Sequence, residues 1–326
     1  MNGNENENIK SETQKKIPAS DLRIVFMGTP EFAVASLHAL VQAGLQVVGV
    51  ITAPDKPAGR GLQLQQSAVK KYAVEKGLTI LQPPKLKDPQ FLNELKALQP
   101  DLQVVVAFRM LPQVVWALPP LGTINVHGSL LPQYRGAAPI NWAVINGERE
   151  TGVTTFKLQQ EIDTGAILLQ EKISIGDDET AGSLHDRMKK TGAQLLVKTI
   201  VDLTAGTLIE MPQQAGGSGL KHAPKLTTET SVIDWTKPVA AVYNLIRGLA
   251  PYPAAFTELD GKKVKLYAVS KEDNQPTEAQ GTLVTDKKTF LKFACADGYI
   301  NILELQLEGK KRMAIADFLR GYRFSS

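Results

Sequence analysis

The stretch from Arg23 to Thr52 limits the fold more than any other part of the chain. Arg23–Met27 is a short β-rich apolar run ending in Gly28-Thr29-Pro30. Glu31–Ala43 follows with Phe32, Leu37 and Leu40 among its apolar positions, then Gly44, then a second apolar run, Val47–Thr52. Pro30 suits a first helical turn, where its missing N–H costs nothing. Strand, helix and strand in this order make a βαβ unit, whose two strands normally lie parallel in one sheet.

The pattern continues. Helices are expected over Ser67–Lys76 and Pro89–Leu98, and a strand covered on both faces over the apolar run Leu102–Phe108. A short strand is expected at Thr123–His127 and a helix over Arg135–Asn146. Val153–Leu158 and Ala166–Ile175 read as an antiparallel pair of strands, and Thr180–Thr204 as a long closing helix. This alternation predicts an α/β domain with a mostly parallel, Rossmann-like sheet. A chain of 326 residues has room for about two domains. The composition breaks at Met211–Pro224, which holds Gly216-Gly217-Ser218-Gly219 and reads as a linker. Beyond it come one helix, Val239–Leu249, and short strands at Phe256–Leu259, Val264–Val269, Gly281–Val284, Phe290–Ala294 and Tyr299–Leu307, with a hairpin-type turn at Asp260-Gly261. Short, evenly spaced strands suggest a small β-barrel. The expected organisation is a disordered tail over 1–20, a catalytic domain over 21–210, a linker over 211–225 and a barrel domain over 226–326.

Several classes are set aside. The first twenty residues lack the apolar core of a signal peptide, and no run reaches the ~20 apolar residues that span a bilayer. A cytoplasmic location without membrane contact is therefore expected. The single cysteine, Cys295, excludes an internal disulfide and lies in an apolar run, so it reads as a buried structural thiol. No Cys/His spacing suits zinc, and no metal is expected. Gly28-Thr29-Pro30 is not the three-glycine dinucleotide fingerprint, and the second strand lacks the acidic residue that would end it. The net charge of +4 permits an RNA partner without requiring one.

Open parallel sheets place their sites beyond the carboxyl ends of the strands. At that end of Thr123–His127, Asn125 and His127 share a face because side chains alternate with period two, while Ile124 and Val126 face the other way. A buried amide and imidazole need partners. Taken alone, the pair reads as a satisfied core histidine and its neighbour.

The residues that follow are Gly128-Ser129-Leu130-Leu131-Pro132-Gln133-Tyr134-Arg135-Gly136-Ala137-Ala138-Pro139-Ile140, with Asp163-Thr164-Gly165 further on. This segment resembles the signature of the 10-formyltetrahydrofolate-dependent formyltransferases. The resemblance implies that Asn125, His127 and Asp163 form the catalytic group. It also implies that Ser129, Leu130, Leu131 and Pro132 contact tetrahydrofolate, and that 10-formyltetrahydrofolate is the formyl donor. The chemistry fits those residue types. In formyl transfer to an amine the carbonyl oxygen becomes an oxyanion, to which an amide can donate; losing one such donor costs ~3 kcal/mol of barrier. An imidazole can take a proton from the attacking nitrogen and pass one toward the leaving nitrogen. A carboxylate can orient the imidazole or a water. The amine itself attacks, so no covalent nucleophile is needed. For the flat pterin, the strand end Ala107-Phe108-Arg109-Met110-Leu111-Pro112 offers Phe108 and Leu111, at a place where relatives often carry a tyrosine-glycine pair.

From Arg23 to the C-terminus the chain resembles the branch of this family that acts on methionine carried by initiator tRNA. Carrying this are Phe26-Met27-Gly28-Thr29-Pro30-Glu31-Phe32-Ala33, the loop Ala53-Pro54-Asp55-Lys56-Pro57-Ala58-Gly59-Arg60-Gly61, and Ile233-Asp234-Trp235 with Ile246-Arg247-Gly248-Leu249-Ala250-Pro251-Tyr252-Pro253-Ala254. The resemblance implies an OB-like C-terminal barrel and initiator methionyl-tRNA as partner. It also makes Arg60 the loop arginine that enters the acceptor arm. By its own chemistry the loop sets Lys56 and Arg60 among Gly and Pro, cationic and suited to acceptor-stem phosphates, although a merely solvated surface loop reads the same way. Lys262, Lys263, Lys265, Lys310, Lys311 and Arg312 are further basic candidates. No obligate protein partner is evident. The alternative is a folate-dependent formyltransferase acting on an amino sugar nucleotide, which would share the catalytic triplet without needing the cationic loop.

Overall fold

The computed structural model describes residues 18–58, 63–213 and 219–324. Residues 1–17 of the expected tail, Arg60, and Gly216, Gly217 and Ser218 of the expected linker lie outside the described residues.

The chain begins as read, with β1 (Ile24–Gly28), α1 (Glu31–Gln42) and β2 (Val47–Ile51). A small antiparallel hairpin follows, β3 (Lys56–Ala58) and β4 (Gln63–Gln65), where only a loop was expected. Then come α2 (Ala68–Glu75), β5 (Ile80–Leu81), α3 (Pro89–Ala97) and β6 (Leu102–Val106). Ser67 caps α2 by accepting from Lys70 N, and Asp88 caps α3 by accepting from Gln90 N; each cap is worth ~1 kcal/mol. The short α4 (Gln113–Trp116) leads to β7 (Thr123–His127).

The helix expected from Arg135 starts later. Arg135–Gly136 is instead a two-residue strand, β8, and α5 runs Pro139–Ile145 with its proline in the first turn, where a missing N–H is harmless. The domain closes with β9 (Glu150–Lys157), β10 (Ile167–Ser174) and α6 (Ala181–Ala205).

The sheet order is β10-β9-β7-β6-β1-β2-β5. The five strands from β7 to β5 run parallel, while β9 and β10 are antiparallel additions beside β7. Period two is visible in the packing. Ile24, Phe26, Val104, Ile124 and Val126 face α1 and α6, whereas Val25, Met27 and Val105 pack with Phe91, Leu95 and Val115 of α3 and α4. Full burial of each large side chain stabilises the fold by ~1.5–3 kcal/mol. Asn125 and His127 therefore lie on the opposite face of β7 from Ile124 and Val126, and the chain reverses its direction of strand addition between β1 and β6.

The described residues on either side of 214–218 in the segment read as a linker pair with this domain. Met211 bridges Ile167, and β11 (His222–Ala223) pairs with β8. After a single 3₁₀ turn at Glu229–Ser231 come α7 (Val239–Leu249), β12 (Ala255–Leu259), β13 (Lys262–Glu272), β14 (Leu283–Thr285), β15 (Leu291–Ala294), β16 (Tyr299–Leu307), β17 (Met313–Ala314) and α8 (Ile315–Gly321). The strands form an antiparallel sheet of order β12-β13-β16-β15-β14, with β17 on β16. It is a half-barrel of the OB-like kind around its own core, in which Trp235 stacks on Phe293 at 4.5 Å. Cys295 is buried there, and burial pushes its thiol up to about 12.

The two domains are tied across α5 and α7. A Cβ on Gly248 would stand 2.9 Å from Ile145 N, so only glycine lets the helices approach this closely. Asn141 Nδ2 donates to Gly248 O at 2.8 Å, Tyr243 Oη to Asp178 Oδ1 at 2.7 Å, and Arg247 Nη1 to Glu179 O at 3.0 Å. No helix among the described residues is long and apolar enough to cross a membrane.

Candidate active site

β7 ends in Asn125-Val126-His127, between parallel β6 and antiparallel β9, with Asn125 opposite Val105 and Phe156. His127 is buried, its ring edge-on to Phe156 at 6.4 Å. Its Nε2 lies 2.9 Å from the main-chain oxygen of Tyr134. A carbonyl oxygen can only accept, so Nε2 carries the proton in this bond and Nδ1 is the imidazole's basic nitrogen. Nδ1 faces Asp163, 3.8 Å from Oδ2.

Asp163 comes from the loop between β9 and β10, in the left-handed region at φ 55°, which aspartate tolerates better than most residues. Gly136 N donates to its Oδ2 at 2.9 Å, and Gln213 Nε2 donates to its main-chain oxygen at 2.9 Å and to Gly165 O at 2.8 Å. The turn reading and the site reading of Asp163-Thr164-Gly165 thus hold together. The Asn125 side chain makes no hydrogen bond to another described residue.

All three side chains border one cleft of about 1300 Å³ between the domains. One arm is lined by Phe108, Met110, Leu111, Trp116 and Leu158, a slot of apolar side chains at the carboxyl edge of β6. The other passes between the N-terminus of α6 and Ala250, Pro251, Tyr252, Tyr267 and Arg312 of the C-terminal domain. The first arm suits a flat, partly apolar ring system, and Asn125, His127 and Asp163 line the same cleft. Arg109 also lines the cleft; its Nη1 donates to Pro84 O at 2.9 Å, its Nη2 to Pro83 O, and its guanidinium lies 5.5 Å from the Phe108 ring.

Ser129, Leu130, Leu131 and Pro132 do not line the cleft. Ser129 is fully buried, with Oγ donating to Gln133 O at 2.6 Å and its own carbonyl accepting from Thr154 Oγ1 at 2.6 Å. Leu131 N donates to Thr154 Oγ1 at 3.1 Å, and Leu130 packs over Gly152. The loop turns toward β9 and β10 because Thr154 and Gln170 satisfy its buried main chain there. These residues set the path of the chain behind His127.

Lys56 is exposed on β3. At the base of that hairpin, Asp55 pairs with Lys70 at 2.5 Å and accepts from Gln82 at 2.9 Å, which holds its carboxyl below the usual range. Arg135 donates to Gln213 Oε1 through Nε at 3.1 Å and Nη2 at 2.6 Å. Sequence reasoning missed Tyr134, Gly136 and Gln213, which act through main-chain or amide groups from distant segments. Tyr134 and Gly136 lie within the motif beside Arg135, whereas Gln213 lies in the segment read as a linker and carried no signal. Among the described residues no cluster of His, Cys, Asp or Glu could hold a metal ion.

Fold and cleft are those of an α/β enzyme working at the carboxyl edge of its sheet. The chain belongs to the formyltransferase family. Residues 22–200 match Formyl transferase, and residues 225–323 match Formyl transferase, C-terminal domain. The methionyl-tRNA formyltransferase of Parabacteroides distasonis is 54% identical over 312 residues, covering 93% of this chain and 96% of that protein. Solved structures are similar in fold at lower identity. HypX from Aquifex aeolicus in complex with tetrahydrofolic acid is 17% identical, with a TM-score of 0.63 over 93% of this chain and 48% of that one. An N-formyltransferase from Helicobacter canadensis, in complex with folinic acid and dTDP-3-aminofucose, is 18% identical, with a TM-score of 0.64 over 90% of this chain and 100% of that one.

Proposed function

We propose that this protein transfers the formyl group of 10-formyltetrahydrofolate to the free amino group of methionyl initiator tRNA, giving N-formylmethionyl-tRNA. The observation that carries this reading is the 54% identity, along both domains, to a methionyl-tRNA formyltransferase. The likeness to the sugar-acting enzyme, at 18% identity, is a likeness of fold.

The reaction needs no covalent enzyme intermediate. The amine lone pair attacks the formyl carbon, and the carbonyl electrons move to oxygen. Asn125, whose amide makes no hydrogen bond to another described residue, donates to that oxygen. His127 Nδ1 takes the proton from the attacking nitrogen. Asp163, held by Gly136, offers its carboxylate to the charge the imidazole then carries. As the bond from carbon to N10 breaks, its electron pair stays on N10, which receives the proton from His127. Phe108 and Leu111 belong to the slot for the folate ring, and Ser129, Leu130, Leu131 and Pro132 are assigned to tetrahydrofolate on the same reading.

A second cavity, of about 720 Å³, adjoins the reaction cleft and shares Ala137, Ala138, Asn141 and Tyr252 with it. Lys225, Lys263 and Lys265 line it along with the acidic Glu229, and Tyr252 is 82% exposed at the junction. Lysines beside an exposed aromatic ring suit single-stranded RNA. This favours a tRNA acceptor over a sugar nucleotide. Arg60 and Lys56 are assigned to the acceptor stem on the same reading.

The test is a transfer assay with 10-formyltetrahydrofolate against charged initiator tRNA and, separately, an amino sugar nucleotide. Formylated methionyl-tRNA is the expected product; product on the sugar nucleotide alone would overturn the assignment.

A further inference from the structure

The loop from Gln133 to Gly136 touches both His127 and Asp163. The Tyr134 main-chain oxygen accepts from His127 Nε2, and two residues later Gly136 N donates to Asp163 Oδ2. Tyr134 itself stands at φ 59°, a left-handed conformation that a tyrosine seldom takes unless its surroundings impose it.

Those surroundings are specific. Tyr134 N donates to Lys221 O at 2.7 Å, and Lys221 N donates to Gln133 Oε1 at 2.9 Å. Tyr134 is 5% exposed. It donates to Glu148 Oε1 at 2.5 Å and accepts from Asn146 Nδ2 at 3.1 Å. Lys221 Nζ donates to the same Glu148 oxygen at 2.5 Å. β11 then pairs Ala223 with Gly136, so Lys221–Ala223 is fastened to the loop.

We propose that Tyr134 and Glu148 are positioning residues that set the tautomer of His127, holding a carbonyl oxygen against Nε2 so that Nδ1 stays unprotonated and turned toward Asp163 and the cleft. The inference rests on the reading of His127 as the group that moves the proton. Its physical content is narrow. The tautomer of a neutral imidazole follows from the bond made by its other nitrogen. Here that bond goes to a main-chain oxygen whose direction depends on one backbone conformation. The phenol bond to Glu148 locks that conformation from outside the cleft. Neither Tyr134 nor Glu148 borders the cleft. A direct role in binding substrate is therefore not what they supply. Lys221 lies just beyond the segment 214–218, so the attachment of the C-terminal domain and the state of the catalytic imidazole share one set of bonds.

The test uses the full chain with ¹⁵N-labelled histidine imidazoles, His127 being assigned by its loss in His127→Ala. The wild-type protein is expected to show the neutral Nε2–H form of His127. Tyr134→Phe is expected to add a substantial Nδ1–H fraction and to lower kcat about tenfold, with KM for both substrates changed less than about twofold. Glu148→Ala, which leaves the buried ring in place, is expected to act in the same direction. Glu148→Gln, whose amide oxygen still accepts from the phenol, should restore the wild-type nitrogen spectrum. If Tyr134→Phe and Glu148→Ala both keep the wild-type tautomer, the proposal is overturned, and a wild-type His127 already protonated on Nδ1 overturns it at once. The nitrogen spectrum requires no turnover, so a wild-type protein that transfers no formyl group would refute the functional reading separately.

Discussion

His127 presents Nδ1 to Asp163 across 3.8 Å while Nε2 is held 2.9 Å from the Tyr134 carbonyl oxygen. The two nitrogens thus have separate tasks. One anchors the ring, and the other is left for proton transfer. The gap to Asp163 exceeds a hydrogen bond; it leaves space for a water, or for movement of the imidazole when it gains a proton. Asp163 does not close the gap because its carboxylate is held by Gly136 N.

Removing either group at the cleft should separate catalysis from stability. Asn125 has no side-chain hydrogen bond among the described residues to lose, so Asn125→Ala should leave Tm nearly unchanged and lower kcat by about 10²–10³. His127→Ala should lower kcat by about 10²–10⁴ while circular dichroism at working temperature stays native. Near-normal kcat in His127→Ala would remove that residue from the mechanism.

Gly136 should tolerate no side chain. Its φ is 126°, and a Cβ would lie 2.4 Å from Ala223 O. Gly136→Ala must break the pairing of β8 with β11 and draw the N–H away from Asp163. A stability loss of roughly 1–3 kcal/mol is expected from the backbone conflict, together with a fall in kcat larger than any change in folate KM. Chemical denaturation and steady-state kinetics on the same preparation check both parts.

Glu148 should make stability depend on acid. Burial pushes its carboxyl up, but hydrogen bonds from Lys221 and Tyr134 outweigh this and leave it below the usual glutamate range. A carboxyl lowered in the folded state stabilises fully above its unfolded pKa and loses that contribution as pH falls through the folded value. The Tm gap between the wild type and Glu148→Gln should therefore be widest near neutral pH, about 1–2 kcal/mol in stability, and should shrink below about pH 4.5. A gap that grows on acidification would show that the carboxyl is not lowered.

The acceptor surfaces should act on tRNA and spare folate. Tyr252→Ala should weaken use of charged tRNA by ~1–3 kcal/mol, as expected for loss of one stacked base, with folate KM unchanged. Arg60→Ala should do the same and should flatten the dependence of tRNA KM on salt. Equal losses for both substrates would count against this assignment.

The residues of β1, α1 and β2 declare their structure locally, because apolar periodicity and the Gly28-Thr29-Pro30 break act within a few residues of one another. The same holds for α2, α3, α6 and α7 and for the strand Tyr299–Leu307, whose bounds were read to within a residue or two. Asn125 and His127 were legible as a pair, since strand geometry alone puts them on one face. Asp163 was legible only through resemblance to a family, because nothing in its own turn reports a partner thirty-six residues away.

The tertiary structure alone decided how these groups are held. The Tyr134 carbonyl, the Gly136 N–H and the Gln213 amide act from main-chain or neutral groups with no compositional signature, and their directions depend on a pairing between β8 and β11 that spans the domain. It also decided the course of Ser129–Pro132, since the buried hydroxyl of Thr154, supplied by another strand, takes up their main chain. Amino-acid order determined which chemical groups are present and which segments are strands or helices, through short-range sterics and hydrophobic spacing. Where a proton sits on His127 is a long-range property, set by hydrogen bonds that exist only after distant segments have packed.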